Sequence, residues 1–217
     1  DIEKRLEAFV RFGHAILVFP GGVGTAEEVL YLLGLLMHPE NSTIPLPVIL
    51  TAPKSSSDYW DSLLVFLKAT VGEQALQKLK VIVDDPTQVA IDIKTGIAQV
   101  AQYRKQTKDA YYFNWNLTVP LEFQTPFVPT HATMRELQIH QNQPPHKLAA
   151  ALRKAFSGIV AGNVKEDGVR AIEAHGPFEI QGDPKIMALL DQLLSDFVAQ
   201  GRMKIGKAYT PCYKIIQ

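Results

Sequence analysis

Apolar positions along the chain recur with two different periods, and the period separates its elements. Ile2, Leu6, Phe9, Val10 and Phe12 fall at helical spacing and predict a helix over residues 1–13. Residues 15–19 are a short unbroken apolar run between Gly13 and Pro20-Gly21-Gly22, which reads as a buried parallel strand. Residues 25–37 are apolar nearly all round, so the predicted helix is buried on most sides. Strands follow at 46–50 and 81–83, and a helix at 57–70 carries Trp60, Leu63, Leu64, Phe66 and Leu67. Asp85-Pro86 supplies an N-cap and a first-turn proline for a helix with Val89, Ile93, Ile97 and Val100 on one face. Strand and helix alternating through short loops predict an α/β, doubly wound parallel sheet. Three strands make a thin sheet, and the chain opens at Asp1 inside a helical pattern, so it reads as part of a longer polypeptide.

The pattern changes after about residue 108. Tyr111-Tyr112-Phe113-Asn114-Trp115 leads into a stretch spaced by Pro120, Pro126 and Pro129, which predicts an extended connection. Its aromatics read as packing for that crossing or as a base-stacking platform. Beyond residue 143 an amphipathic helix is expected over 145–160. Another follows Asp183-Pro184, with Ile186, Leu190, Leu193 and Phe197 on its face and Gly201 as its stop. Short strands are expected at 203–205 and 213–216. The expected organisation is 1–108, part of the doubly wound domain, 109–142, an extended connection, and 143–217, a small C-terminal α+β domain.

Composition narrows the function classes. Of 217 residues, 22 are Lys or Arg and 22 Asp or Glu, so the net charge is zero and binding to nucleic acid or membrane by bulk charge is not expected. The single cysteine, Cys212, cannot form an intrachain disulfide or a CxxC pair, and a reducing compartment is the default. No apolar run has the length of a membrane-spanning helix. The histidines have no metal-site spacing, and His14 alone lies near the segment discussed next. Arg153, Lys154, Lys165 and Arg170 read either as a solvated helix face or as a site for a phosphorylated effector.

Candidate chemistry sits in Pro20-Gly21-Gly22-Val23-Gly24-Thr25-Ala26-Glu27-Glu28. Glycines let the backbone turn sharply and approach a ligand closely. The helix is expected to begin near Thr25, turning its unpaired N–H groups and positive dipole end toward the loop, as in phosphate sites. The Walker pattern is absent, and Glu27 stands where the dinucleotide fingerprint has its third glycine. Glu28 has two readings. Thr25-x-x-Glu28 is a capping box. It is equally an acid one turn into the helix, and a carboxylate beside a bound phosphate costs electrostatic energy unless it has a task.

The string PGGxGTxxE resembles the signature of the LOG-type nucleotide phosphoribohydrolases, long labelled lysine decarboxylases. That family also carries an arginine on the preceding helix, fifteen residues before the motif proline, where this chain has Arg5. Leu6 and Ala8 depart from the family's lysine and acid at those positions. Residues 1–103, with Phe113-Asn114-Trp115, the stretch 156–163 and Gly201-Arg202-Met203-Lys204, resemble the longer, multidomain nucleotide nucleosidases of that family. By this resemblance the chain is their C-terminal half, with the first strands of a Rossmann-like domain lying upstream.

The resemblance implies hydrolysis of the N-glycosidic bond of nucleoside 5′-monophosphates to free base and ribose 5-phosphate. It makes Glu28 and Arg5 catalytic, and Gly21, Gly22, Gly24 and Thr25 phosphate- and nucleotide-binding. It implies no cofactor and no metal, a cytoplasmic homo-oligomer, and room for a regulatory nucleotide. The competing reading is a non-catalytic, nucleotide-binding regulatory protein. Such a protein would need the glycine loop but neither Arg5 nor Glu28.

Overall fold

The computed structural model describes residues 2–205 and 208–216. Its first part runs α1 (Ile2–Phe12), β1 (Ile16–Val18), α2 (Val23–Leu36), β2 (Val48–Ala52), α3 (Asp58–Thr70), α4 (Glu73–Leu76), β3 (Lys80–Val83) and α5 (Pro86–Gln106). The strands pair in parallel in the order β1-β2-β3, with Ile16 opposite Val48 and Ile49 opposite Lys80. β2 is buried at every position because helices cover both faces of the sheet, so it shows no alternation. Asp85 caps α5, its carboxylate accepting from the Gln88 N–H at 2.8 Å, with Pro86 in the first turn. Together these elements form the doubly wound parallel fold that the periodicity predicted.

The proline-spaced stretch carries two short helices, α6 (Leu121–Gln124) and α7 (His131–Arg135). Arginines hold its start. Arg11 Nη1 donates to the carbonyls of Asn114 and Leu117, and buried Arg104 donates to those of Tyr111 and Gly13. Tyr111, Tyr112 and Trp115 remain largely exposed, whereas Phe113 packs edge-on against Phe12 and buried Phe123 against Tyr31, so arginine on backbone and these two rings hold the segment together.

The rest of the chain builds a second sheet from β4 (Gln138–Ile139), α8 (Pro145–Val164), α9 (Glu166–His175), β5 (Phe178–Gly182), α10 (Pro184–Ala199) and β6 (Tyr213–Ile216). Its order is β4-β5-β6, parallel throughout. The sequence reading lacked β4 and β5, although Phe178 and Ile180 point inward in alternation with Glu179 and Gln181. The strand expected at 203–205 does not form. Gly201 takes a left-handed φ of 70°, and the N–H groups of Arg202 and Met203 both return to the Phe197 carbonyl, closing the end of α10 instead.

One apolar cluster runs from Leu6 on α1 through α2, α3, α8 and α10 to Phe178 and Ile180 on β5. Its axis is the packing of α2 against α8. Inside it lies a polar group. Arg153, expected on a solvated face, is only 1% exposed, because α8 is enclosed by α2 and the second sheet rather than lying on the surface. Its Nη1 donates to Glu3 Oε1 at 2.8 Å, and its guanidinium lies 5.8 Å from the Tyr31 ring centroid. Burial by itself would raise the Glu3 pKa. The Arg153 hydrogen bond and charge outweigh it and hold that carboxyl below its usual range. Glu27 shares this environment. Burial pushes its pKa up to about 7, against partial opposition from Arg153, the Ser157 hydroxyl and Lys165.

Two outcomes follow from this buried group. A carboxyl whose folded pKa is raised stabilises the fold fully below its unfolded value of 4.5, and that contribution is lost as pH rises to about 7. Glu27→Gln is therefore expected to flatten the decline in stability across that window in denaturant titrations; an unchanged pH profile would exclude this account. Glu3→Ala strands a buried guanidinium and is expected to cost about 3–5 kcal/mol by the same method. Glu166→Ala, which breaks the exposed pair with Arg170, is expected to change stability by less than about 1 kcal/mol.

Candidate active site

Gly22 is the N-cap of α2, in extended conformation at φ −117° and ψ −152°, with no side-chain cap. The helix thus begins two residues before the expected Thr25. Thr25 lies within the first turn, its N–H bonded to the Gly22 carbonyl at 3.1 Å. The capping box does not form, since a cap side chain must stand outside the helix to reach back to its first donors.

None of Gly21, Gly22 and Gly24 adopts a left-handed φ, so the sharp turn expected of them is made in ordinary conformations. Closeness explains two of them instead. A Cβ on Gly21 would lie 2.1 Å from Thr25 Oγ1, and one on Gly22 2.6 Å from the Arg202 carbonyl oxygen. A Cβ on Gly24 would meet nothing within 4 Å, so this position faces open space at the helix end.

Successive residues of a helix point about 100° apart. Glu27 therefore turns into the core while Glu28 turns to the rim of the loop. There Arg5 Nη2 donates to Glu28 Oε1 at 2.6 Å. Among the described residues Arg5 does not pair with an acid of its own helix, because Glu3, two positions away, lies on another face and is held by Arg153. Asp1, the acid four positions before Arg5, lies outside the described residues. The Arg5–Glu28 pair is half-exposed, so its worth is in orientation rather than stability.

Two side chains that carried no role in the sequence reading close the loop from behind. Tyr59, on α3, donates its hydroxyl to the Gly22 carbonyl at 2.7 Å, and its ring stacks on Phe197 at 4.8 Å. Burial drives its pKa well up, so the phenol stays protonated and donates. Arg202 Nη1 donates to the Gly21 carbonyl at 3.1 Å, with its guanidinium 5.2 Å from the Tyr59 ring centroid. Gly201 signalled the helix stop that places Arg202. No sequence pattern brings a residue 181 positions away onto the loop.

Beside the loop, at the carboxyl ends of the strands, a largely apolar cavity of about 400 Å³ is lined by Leu17, Phe19, Thr51, Pro53, Asp84 and Asp85. Crevices at this end of a parallel sheet are where such folds take ligands. His14 is not brought here. It precedes β1 at the opposite end of the strand, its ring beside Tyr111 at 5.4 Å. Cys212 is buried under α8, its Sγ 3.5 Å from the Ile159 carbonyl, and burial pushes the thiol up to about 11. Among the described residues, no three His, Cys, Asp or Glu side chains are grouped to hold a metal ion.

Residues 1–93 match a family model described as possible lysine decarboxylase, and residues 97–216 match the C-terminal model of pyrimidine/purine nucleotide monophosphate nucleosidase. Proteins named pyrimidine/purine nucleotide 5′-monophosphate nucleosidase from Escherichia coli K12 and Escherichia coli O157:H7 are each 55% identical over 216 residues. The match covers 99% of this chain and 48% of those proteins, so the chain spans about half the length of the curated relatives it matches. With the second model alone taking more than half of its residues, the chain belongs to the pyrimidine/purine nucleotide monophosphate nucleosidase family.

Proposed function

We propose that the protein to which this chain belongs hydrolyses the N-glycosidic bond of nucleoside 5′-monophosphates, releasing free base and ribose 5-phosphate. The observation that carries the reading is the Arg5–Glu28 pair at the rim of an uncapped helix N-terminus. A phosphate binder needs only the helix end. An acid oriented by an arginine beside it fits a reaction that develops positive charge.

In this reading the 5′-phosphate is held at Gly21, Gly22, Gly24 and Thr25, against the N–H groups and positive end of α2. The ribose then lies over the first turn, facing Glu28. Cleavage of the C1′–N bond sends the electron pair to the base and leaves an oxocarbenium-like centre at C1′, which the carboxylate stabilises or captures. Water adds at C1′, and its proton leaves with the base. Arg5, with its planar fork, holds the carboxylate in orientation. The phosphate is remote from the breaking bond, and its binding energy serves to position the sugar.

Related proposals concern the setting. The division at 1–108, 109–142 and 143–217 rests on the change of sequence pattern, although β4, within the middle segment, joins the second sheet. A cytoplasmic setting fits the single buried thiol, and no helix among the described residues is long and apolar enough to cross a membrane. A homo-oligomer and a regulatory nucleotide rest on the family resemblance.

Chromatographic assay of base release from a panel of nucleoside monophosphates tests the reading on the full-length protein. Glu28→Gln is expected to fold normally and lose at least about a hundredfold in rate, the scale of one lost transition-state electrostatic partner. A variant that keeps its activity would return Glu28 to a structural role. Adenosine is expected to be hydrolysed far more slowly than AMP, and comparable turnover of the two would remove phosphate positioning from the mechanism.

A further inference from the structure

We propose that Arg202, delivered by the turn after α10, supplies the cation of the phosphate site, so that the C-terminal block completes the substrate pocket of the first sheet. The proposal rests on the nucleotide-hydrolase reading and names a specificity residue within it.

The argument begins with charge. A 5′-phosphate at the helix end carries one to two negative charges and sits beside the Glu28 carboxylate. The α2 dipole contributes only about half a positive charge there. Arg5 is already paired with Glu28. Arg5 could have oriented either the phosphate or Glu28, and with Arg5 on Glu28 the phosphate needs another cation. Among the described residues, Arg202 is the basic side chain whose guanidinium hydrogen-bonds the loop backbone, through Gly21. The Tyr59 hydroxyl, bonded to Gly22, responds to the charges of both Arg202 and Glu28, which places the two groups around one loop.

Geometry favours the same role. The Arg202 backbone is fixed by its N–H on the Phe197 carbonyl at 2.7 Å, and its carbonyl oxygen occupies the space that a Cβ on Gly22 would need. Its guanidinium rests on the Tyr59 ring, which is itself stacked on Phe197. A long flexible side chain is thus oriented before any ligand arrives. The Gly21 carbonyl takes one of its five N–H donors. The group is only partly buried, unlike Arg153, so its other donors are not enclosed by the core. A planar guanidinium matches two phosphate oxygens, which a lysine ammonium does not.

The test uses the full-length protein and two readouts. Arg202→Gln is expected to raise the KM for AMP by about 10- to 100-fold, the scale of one charge-assisted contact, with kcat within about threefold of the parent. Arg202→Lys is expected to recover part of that loss, because the charge returns without the fork. Calorimetry with ribose 5-phosphate, a product with no glycosidic bond left to cleave, is expected to show tight binding that Arg202→Gln weakens by a similar factor. Unchanged ribose 5-phosphate affinity in Arg202→Gln would overturn the proposal. So would a fall in kcat and melting temperature at constant KM, which marks a latch on the loop rather than a phosphate contact. Absence of ribose 5-phosphate binding with Arg202 intact would overturn it as well. No base release by the parent protein from any nucleoside monophosphate would instead sink the hydrolase reading, while the calorimetric comparison would still decide Arg202.

Discussion

The constraint on which this architecture depends is the burial of α2. Nearly every residue from Val23 to Leu36 is removed from solvent, with α8 against one side and the first sheet's core against another. A helix that apolar cannot present a face to water, so the chain must wrap it. Its C-terminal end is closed by His38 and the turn after it. Its N-terminal end carries no side-chain cap and emerges at the carboxyl edge of the sheet. Packing therefore leaves this helix one place for chemistry, the end where its dipole is positive.

The same burial separates two adjacent acids. Glu27 and Glu28 are identical in type and neighbours in sequence, yet one shares a desolvated pocket with Arg153 and Glu3 while the other meets Arg5 at the rim. The two ion pairs are linked through α1. Glu3 ties that helix inward to α8, and Arg5, on another face, is thereby aimed at Glu28. A buried pair of this kind contributes little net stability but is costly to break. Its consequence here is register: α1 has one orientation, so Arg5 has one partner.

The two parts of the chain come together at the glycine loop. Tyr59 from the first part and Arg202 from the second both donate to loop carbonyls, and Phe197 stacks beneath Tyr59. Gly22 is needed because the backbone of the second part leaves no room for a Cβ. The glycine pattern thus records an internal contact between distant segments as much as an approach to ligand.

Much of this was legible in the sequence. Unbroken apolar runs gave β1 and β2, the all-round apolar stretch gave α2, and Asp85-Pro86 gave the start of α5, because local periodicity and capping depend on residues a few positions apart. The loop and its two partners, Arg5 and Glu28, were legible because their spacing is a recognisable pattern. The strands of the second sheet were harder. β4 has two residues, too few for a period to stand out, while β5 alternates only from Phe178 to Gln181 before its glycine. Other features were decided only in three dimensions. Arg153 resembles any surface arginine in sequence, and the enclosure of α8 is what buries it. Thr25-x-x-Glu28 satisfies a capping box in sequence, and an earlier helix start takes Glu28 out of it. Arg202 reaches Gly21 across 181 positions, a contact fixed by how α10 packs on α3 and by the turn at Gly201. The sequence alone determined the elements and the chemistry at hand. Which like residues became core and which became site was settled by tertiary packing, because burial and partner are properties of neighbours that the chain brings together only on folding.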